Sequence, residues 1–129
     1  MKTALLNREN CNVILVDWSK GAKGPDYGQA SGNARLVGAQ TAELIKFLIS
    51  NASGSSGSSN LGKKFYIVGF SLGAHVAGYA GSHLRTKYGI ALGRITGNAL
   101  RGVWKDNPFL KLEQENISST VRHALGSQA

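Results

Sequence analysis

The stretch Phe65-Tyr66-Ile67-Val68-Gly69-Phe70-Ser71-Leu72-Gly73 decides the fold of this chain. Its first four residues form an apolar run that predicts a short buried strand, and the Ala- and Leu-rich residues 72–84 predict a helix directly after it. Ser71 lies at the junction. A serine on such a sharp turn projects its hydroxyl away from both elements, and the glycines two before and two after it relieve backbone crowding. The pattern predicts that Ser71 is a nucleophile.

The helix that begins beside Ser71 predicts a second feature of the same site. Backbone N–H groups at a helix start lack intrahelical acceptors and point, with the positive end of the helix dipole, at a developing oxyanion. The N–H of Leu72 is the natural first donor. Because the chain contains 17 Gly, a Gly-x-Ser-x-Gly match alone proves little, and the interpretation depends on the flanking strand and helix. Two alternatives are an incidental turn and a phosphate-binding turn; no Lys-Ser/Thr pair follows to support the second.

The rest of the chain extends this pattern in both directions. Residues 12–18 form an apolar, β-branched run typical of a strand buried on both faces, and residues 33–50 carry an amphipathic helical stripe with Asn33 as a plausible N-cap. Residues 51–60 read as a Ser/Gly surface loop, and residues 90–96 as a weaker third strand. The order strand, helix, strand, helix, strand predicts an α/β fold with a parallel sheet and crossover helices.

Composition and charge argue against a membrane-spanning protein and against a nucleic-acid-binding protein. A chain of 129 residues with 42% hydrophobic content is typical of one globular domain, and it contains no apolar run of the ~18 residues that span a bilayer. The formal charge of +8 raises nucleic acid, anionic membrane and acidic glycan as partners. The basic residues are scattered along the sequence, with only Lys63 and Lys64 adjacent, which favours a solvated face. No nucleic-acid-binding motif accompanies them, so we expect no nucleic acid partner.

Three stretches of the sequence resemble those of a known protein family. They are NVILVDWS at 12–19, GFSLGAHVAGYAG at 69–81 and GRITG at 93–97, and with them residues 11–97 resemble the pancreatic-lipase-like family, with Phe70 as in arthropod members. The resemblance implies part of an α/β-hydrolase fold and hydrolysis of triacylglycerols or phospholipid sn-1 esters at a lipid–water interface. It implies a Ser-Asp-His triad with Ser71 as nucleophile, Leu72 as one oxyanion donor, and neither cofactor nor metal. It also implies an extracellular protein, although the first residues of this chain do not read as a secretion signal.

The sequence departs from the family pattern after residue 97. The triad aspartate is expected where this chain has Ala99, and no triad histidine is identifiable. We therefore divide the chain into residues 1–97, the central part of a lipase domain, and a divergent tail, 98–129. The substitute acids and bases are weakly supported: Asp17, Asp106, His75, His83 and His123, of which His75 reads as a packing residue.

Two hypotheses follow from these departures. The first is a lipase-type carboxylic ester hydrolase that is weak or inactive in this chain, because serine without an assisting base is a poor nucleophile. The alternative is a non-catalytic lipase-like protein that binds lipid or a partner through the Ser71 turn and its basic surface. Cys11, the single cysteine, is expected to open the buried strand at residues 12–18. The oligomeric state stays open.

Overall fold

The computed structural model describes residues 1–52 and 58–98. These residues form four helices and two strands, in the order α1 (Lys2–Arg8), α2 (Tyr27–Asn51), α3 (Ser58–Gly62), β1 (Tyr66–Phe70), α4 (Leu72–Tyr88) and β2 (Arg94–Asn98). The two strands pair in parallel, in a register that runs from Tyr66 opposite Arg94 to Phe70 opposite Asn98. Helix α4 connects them. The expected mixed α/β architecture with a parallel sheet and a crossover helix is therefore confirmed for this part of the chain.

The hydrophobic core lies between α2, α4 and one face of the sheet. Helix α4 contacts both strands, and α2 packs on α4. The two helices approach closely at Gly38, where a Cβ atom would lie 2.5 Å from the Cβ of Tyr79 and 2.9 Å from the carbonyl oxygen of Val76. The buried members of the core cluster are aliphatic or small: Ala42, Ile45, Ile49, Ala77, Ala80, Leu84, Ile90, Leu92 and Ile95.

The two faces of β1 differ in burial. Ile67 and Gly69 point toward the helices, whereas Tyr66, Val68 and Phe70 are 48%, 39% and 66% exposed. Side chains alternate between the faces of a strand, so these three residues share the face opposite the core. Within residues 1–52 and 58–98, helices cover one face of the sheet and leave the other open.

The expected strand at residues 12–18 is wrong for this structure. The segment has no regular secondary structure, and Ile14, Leu15 and Val16 are 56%, 68% and 46% exposed. Cys11 is exposed as well, so it does not open a buried strand. A strand buried on both faces requires a hydrogen-bonded neighbour and two covering layers. Among the described residues β1 pairs only with β2, and the helices supply one layer.

The expected start of the long helix is also wrong. Helix α2 begins at Tyr27, and the Asp26 carboxylate caps it by accepting from the N–H groups of Gly28, at 2.9 Å, and Gln29, at 3.2 Å. Asn33 lies inside the helix, where its side-chain amide donates to the carbonyl of Gly21 at 2.8 Å. Capping by Asp26 and burial on α4 outweigh the low helix propensity of residues 28–33.

The remaining boundaries shift by a few residues. The first strand covers 66–70 rather than 65–68, the following helix continues to Tyr88, and the last strand covers 94–98 rather than 90–96. Helix α1 has no counterpart among our predictions. The predicted loop at 51–60 contains the start of α3, and its residues 53–57 lie outside the described part. None of the described helices is long and apolar enough to cross a membrane.

Candidate active site

Ser71 occupies the turn between β1 and α4 in a backbone conformation that L-residues seldom adopt. Its φ is 52° and its ψ is −122°, and it is the one non-glycine residue with positive φ in the described part of the chain. Such a conformation costs of order 1–3 kcal/mol and persists only where the surroundings impose it. The backbone strain therefore lies at Ser71, the residue that the sequence predicts to be a nucleophile.

The hydroxyl of Ser71 is not used in capping the helix. Ser71 is the N-cap residue of α4, yet its side chain makes no capping hydrogen bond. Its carbonyl oxygen instead accepts from the N–H of Ala74 at 2.9 Å. The side chain is half-buried. A hydroxyl in this arrangement can be aimed at a substrate, since the turn rather than a side-chain bond holds the residue.

Gly69 lets the end of β1 pass close to the first turn of α4. A Cβ atom at Gly69 would lie 2.1 Å from the carbonyl oxygen of Gly73 and 2.7 Å from the nitrogen of Ala74. Gly73 is different, because a Cβ atom there would meet nothing within 4 Å. The expectation that both glycines relieve crowding thus holds for Gly69 and fails for Gly73.

Leu72 is the first residue of α4. The first four N–H groups of a helix have no acceptor within the helix, and Ala74 already bonds to Ser71, so the Leu72 N–H belongs to the remaining donors of this end. The amino end of a 17-residue helix also carries partial positive charge. An anion that develops next to the Ser71 hydroxyl would therefore be stabilised by this helix end.

The structure describes three of the candidate acids and bases, Asp17, His75 and His83. The Asp17 carboxylate accepts from the N–H of Ser19 at 2.9 Å in its own turn, and this bond lowers the pKa of Asp17. His75 is 6% exposed in α4, in agreement with a packing role. His83 follows Ser71 by twelve residues on the same helix, about 18 Å along its axis. Neither Asp17 nor His83 forms a charge-relay partnership with Ser71.

A polar cluster between α2 and α4 was not predicted from the sequence. One carboxylate, Glu43, accepts from Lys87 at 2.8 Å, from the Tyr88 hydroxyl at 2.7 Å and bonds His83 at 3.0 Å. The hydrogen bond from Lys87, followed by those from Tyr88 and His83, lowers the pKa of Glu43 to about 2, and the same contact raises the pKa of Lys87. Forty or more residues separate Glu43 from these partners, so no local pattern signals the cluster.

Several expectations fall outside the described residues. Ala99, at the position expected for the triad acid, is one of them, as are Asp106, His123 and the tail beyond residue 98. Among the residues that the structure describes, no group of three or more His, Cys, Asp or Glu side chains could hold a metal ion.

Comparison with known proteins gives a consistent result. Residues 1–105 match the protein family described as Lipase. The chain is 47% identical over 89 residues to inactive pancreatic lipase-related protein 1 of Mus musculus, a match that covers 69% of this chain and 16% of that protein. It is 46% identical over 93 residues to pancreatic triacylglycerol lipase of Homo sapiens, covering 72% of this chain and 18% of the relative.

A third relative is hepatic triacylglycerol lipase of Oryctolagus cuniculus, 48% identical over 86 residues, which are 67% of this chain and 15% of that protein. The chain thus spans about a sixth of the length of the curated relatives that it matches. No solved structure matches the chain significantly.

Proposed function

The chain belongs to the lipase family, and from this premise we propose that Ser71 is the nucleophile of a carboxylic ester hydrolase that acts on lipid esters. Triacylglycerols and phospholipids are the proposed substrate class, a lipid–water interface the proposed site of action, and the extracellular space the proposed location. We also propose that α2, α4, β1 and β2 are part of an α/β-hydrolase fold. The observation that carries the proposal is the strained backbone of Ser71 between a parallel strand and a helix amino end.

The chemistry assigned to this geometry is acyl transfer. The Ser71 oxygen attacks the ester carbonyl and loses its proton to a base, and the carbonyl electrons move onto the oxygen that the Leu72 N–H faces. Collapse of this intermediate expels the alcohol, which takes up the proton, and leaves an acyl-serine ester. Water then attacks this ester and releases the fatty acid, which regenerates the hydroxyl.

The described residues include the proposed nucleophile and the proposed oxyanion donor, but we identify no assisting base among them. Glu43 and His83 bond to one another about 18 Å along α4 from Ser71, and Asp17 bonds within its own turn. We therefore expect this chain to turn over esters slowly or not at all, since an unassisted serine hydroxyl is protonated at neutral pH.

Hydrolysis of a short-chain p-nitrophenyl ester tests the role of Ser71. We expect at most slow release of p-nitrophenol, and that any release above background disappears in Ser71→Ala. Ser82→Ala is the matched control, because Ser82 lies further along the same helix. Release that exceeds background and is equal in wild type and Ser71→Ala would show that Ser71 is not the nucleophile.

A second candidate function is a non-catalytic lipase-like protein. Its support is that the carboxylates of Glu43 and Asp17 already bond to residues other than Ser71, together with the word "inactive" in the name of the relative from Mus musculus. A fluorophosphonate probe separates the candidates, because it modifies serines whose hydroxyl is activated. Mass spectrometry that finds the adduct on Ser71 favours the hydrolase. An unmodified Ser71 in folded protein, together with no ester release above background, favours the non-catalytic candidate.

A further inference from the structure

One face of the sheet is left uncovered by the described helices. Tyr66, Val68 and Phe70 of β1 lie on it and are 48%, 39% and 66% exposed. Arg94 and Thr96 of β2 lie on the same face, because the Arg94 guanidinium is 5.2 Å from the centre of the Tyr66 ring and the Thr96 hydroxyl bonds to the Tyr66 hydroxyl at 2.9 Å. We call these five residues the open face. A parallel sheet is covered by a layer on each of its faces, so we expect the open face to have an occupant.

The chain leaves the sheet at one end of the open face. In the parallel register Asn98, the last residue of β2, is opposite Phe70. Residues 99–129 follow Asn98 and lie outside the described residues. A segment of the same chain needs only the modest entropic cost of closing a short loop to reach the open face, whereas a second copy must also give up translational and rotational freedom. The favoured occupant is therefore a segment of residues 99–129.

One stretch of residues 99–129 has the sequence pattern of an amphipathic helix. Asn107 and Pro108 are typical of a helix start, since asparagine is a good N-cap and proline is tolerated in the first turn. Gly126 is typical of the residue that follows a helix end. The sequence therefore predicts a helix over residues 108–125, which we call segment 108–125.

The apolar spacing of segment 108–125 matches that of β1. Ile117, Val121 and Leu125 recur at every fourth position, which puts them on one side of a helix at intervals of about 6 Å. The three exposed side chains of β1 recur at every second position of a strand, at intervals of about 6.6 Å. Three side chains of the helix can therefore lie against three side chains of the strand along its whole length.

We propose that segment 108–125 packs on the open face as a helix antiparallel to β1, with Val121 against Val68. The direction follows from the connection, because a helix that follows a strand returns along the sheet, as α4 does between the end of β1 and the start of β2. Ile117 then lies near Phe70. With α2 and α4 on the other face, the sheet is enclosed between two helical layers.

Cross-linking of the full chain tests this contact. In a Cys11→Ser background, Val68→Cys combined with Val121→Cys should be joined within one chain by a short bis-maleimide. The matched control combines Val121→Cys with Leu36→Cys, because Leu36 is 60% exposed on α2 at the other side of the sheet. This control should be joined at least about tenfold less. Equal yields for the two pairs would overturn the proposal. Linkage that joins only separate chains would assign the open face to a second copy and overturn it as well.

The reactivity of a single thiol tests the burial of the open face without a cross-linker. In the Cys11→Ser background, the thiol of Val68→Cys should react slowly with iodoacetamide, and about tenfold faster when Val121→Asp is added, because a charge is costly to bury. Ser119→Asp adds the same charge on the opposite side of the helix and should leave the rate unchanged. A rate that ignores Val121→Asp, or that rises equally with Ser119→Asp, would overturn the proposal. The helical circular dichroism of each variant separates loss of this contact from unfolding.

Discussion

Gly69 and Gly73 flank Ser71 symmetrically in sequence, but only Gly69 is held by a close contact: a Cβ atom on it would lie 2.1 Å from the Gly73 carbonyl oxygen. The obstacle is backbone of the first turn of α4, so it cannot be relieved by rotating a side chain. The turn at Ser71 therefore depends on the glycine before the serine more than on the glycine after it.

This asymmetry predicts opposite effects of two alanine substitutions. Gly69→Ala should lower the free energy of unfolding by at least about 3 kcal/mol, because strand and helix must separate. Gly73→Ala, in the first turn of a helix and with open space around its Cβ, should be neutral or raise it by about 0.5–1 kcal/mol. Urea denaturation followed by circular dichroism measures both, and a Gly73→Ala variant as damaged as Gly69→Ala would contradict the prediction.

The helix crossing at Gly38 predicts a second contrast within α2. Gly38→Ala places a methyl group 2.5 Å from the Tyr79 Cβ and should cost about 1–3 kcal/mol of unfolding free energy. Gly32 lies on the same helix, and a Cβ there meets nothing within 4 Å. Gly32→Ala should therefore raise the midpoint of thermal unfolding slightly, by removing backbone freedom from the unfolded chain. Equal midpoints for the two variants would mean that α2 and α4 do not make their close contact at Gly38.

The Glu43 cluster predicts how stability depends on pH. The pKa of Glu43 is about 2 in the folded chain and near its ordinary value of 4.5 in the unfolded chain, so the unfolded state binds the proton first. Its contribution is fully present above pH 4.5 and is lost as the pH falls toward 2. The thermal midpoint should fall over this window in wild type and less in Glu43→Gln.

A direct titration checks the cause of that shift. The side-chain carboxyl resonance of Glu43 should report a pKa near 2, and Lys87→Met should move this pKa upward because it removes the first hydrogen-bond donor. Lys20→Met removes an exposed lysine from a distant loop and should leave the Glu43 pKa where it is. A Glu43 pKa that is insensitive to Lys87→Met would mean that the contact does not form in solution.

The apolar run at residues 14–16 predicts limited solubility. Three consecutive side chains, Ile14, Leu15 and Val16, are between 46% and 68% exposed, and contiguous exposed apolar surface promotes association. Leu15→Lys should reduce light scattering at high protein concentration and change the unfolding free energy by less than about 0.5 kcal/mol. Leu36→Lys, an equal charge change at an isolated exposed leucine on α2, should reduce scattering less.

The sequence predicted those parts of the structure that depend on neighbouring residues, and it failed for those that depend on contacts between distant residues. The Ser71 turn follows from the adjacent residues and the strand and helix on either side of it, and the structure has a strand before Ser71 and a helix after it, with bounds that differ by a few residues from the expected ones. The strand expected at residues 12–18 failed because a buried parallel strand depends on distant partners. The start of α2 was missed because tertiary burial and the Asp26 cap outweigh a run of residues with low helix propensity.

The Glu43 cluster shows that residues distant in the sequence are the harder ones to predict. Lys46 and Lys87 are forty-one positions apart, and only the parallel packing of α2 on α4 brings both to the ring of Tyr88. A sequence pattern read along the chain registers such residues as scattered charge. The sequence alone therefore identified the candidate nucleophile but did not predict the Glu43 cluster.

The two faces of β1 place different constraints on amino-acid substitution. Ile67 and Gly69 are constrained by the helices beneath them, so substitutions there are removed as folding defects whatever the protein does. Tyr66, Val68 and Phe70 are free of that constraint within the described residues. Variation among close relatives at these three positions would thus reflect what the open face contacts in each of them. Variation at Ile67 and Gly69 would instead reflect the requirements of folding.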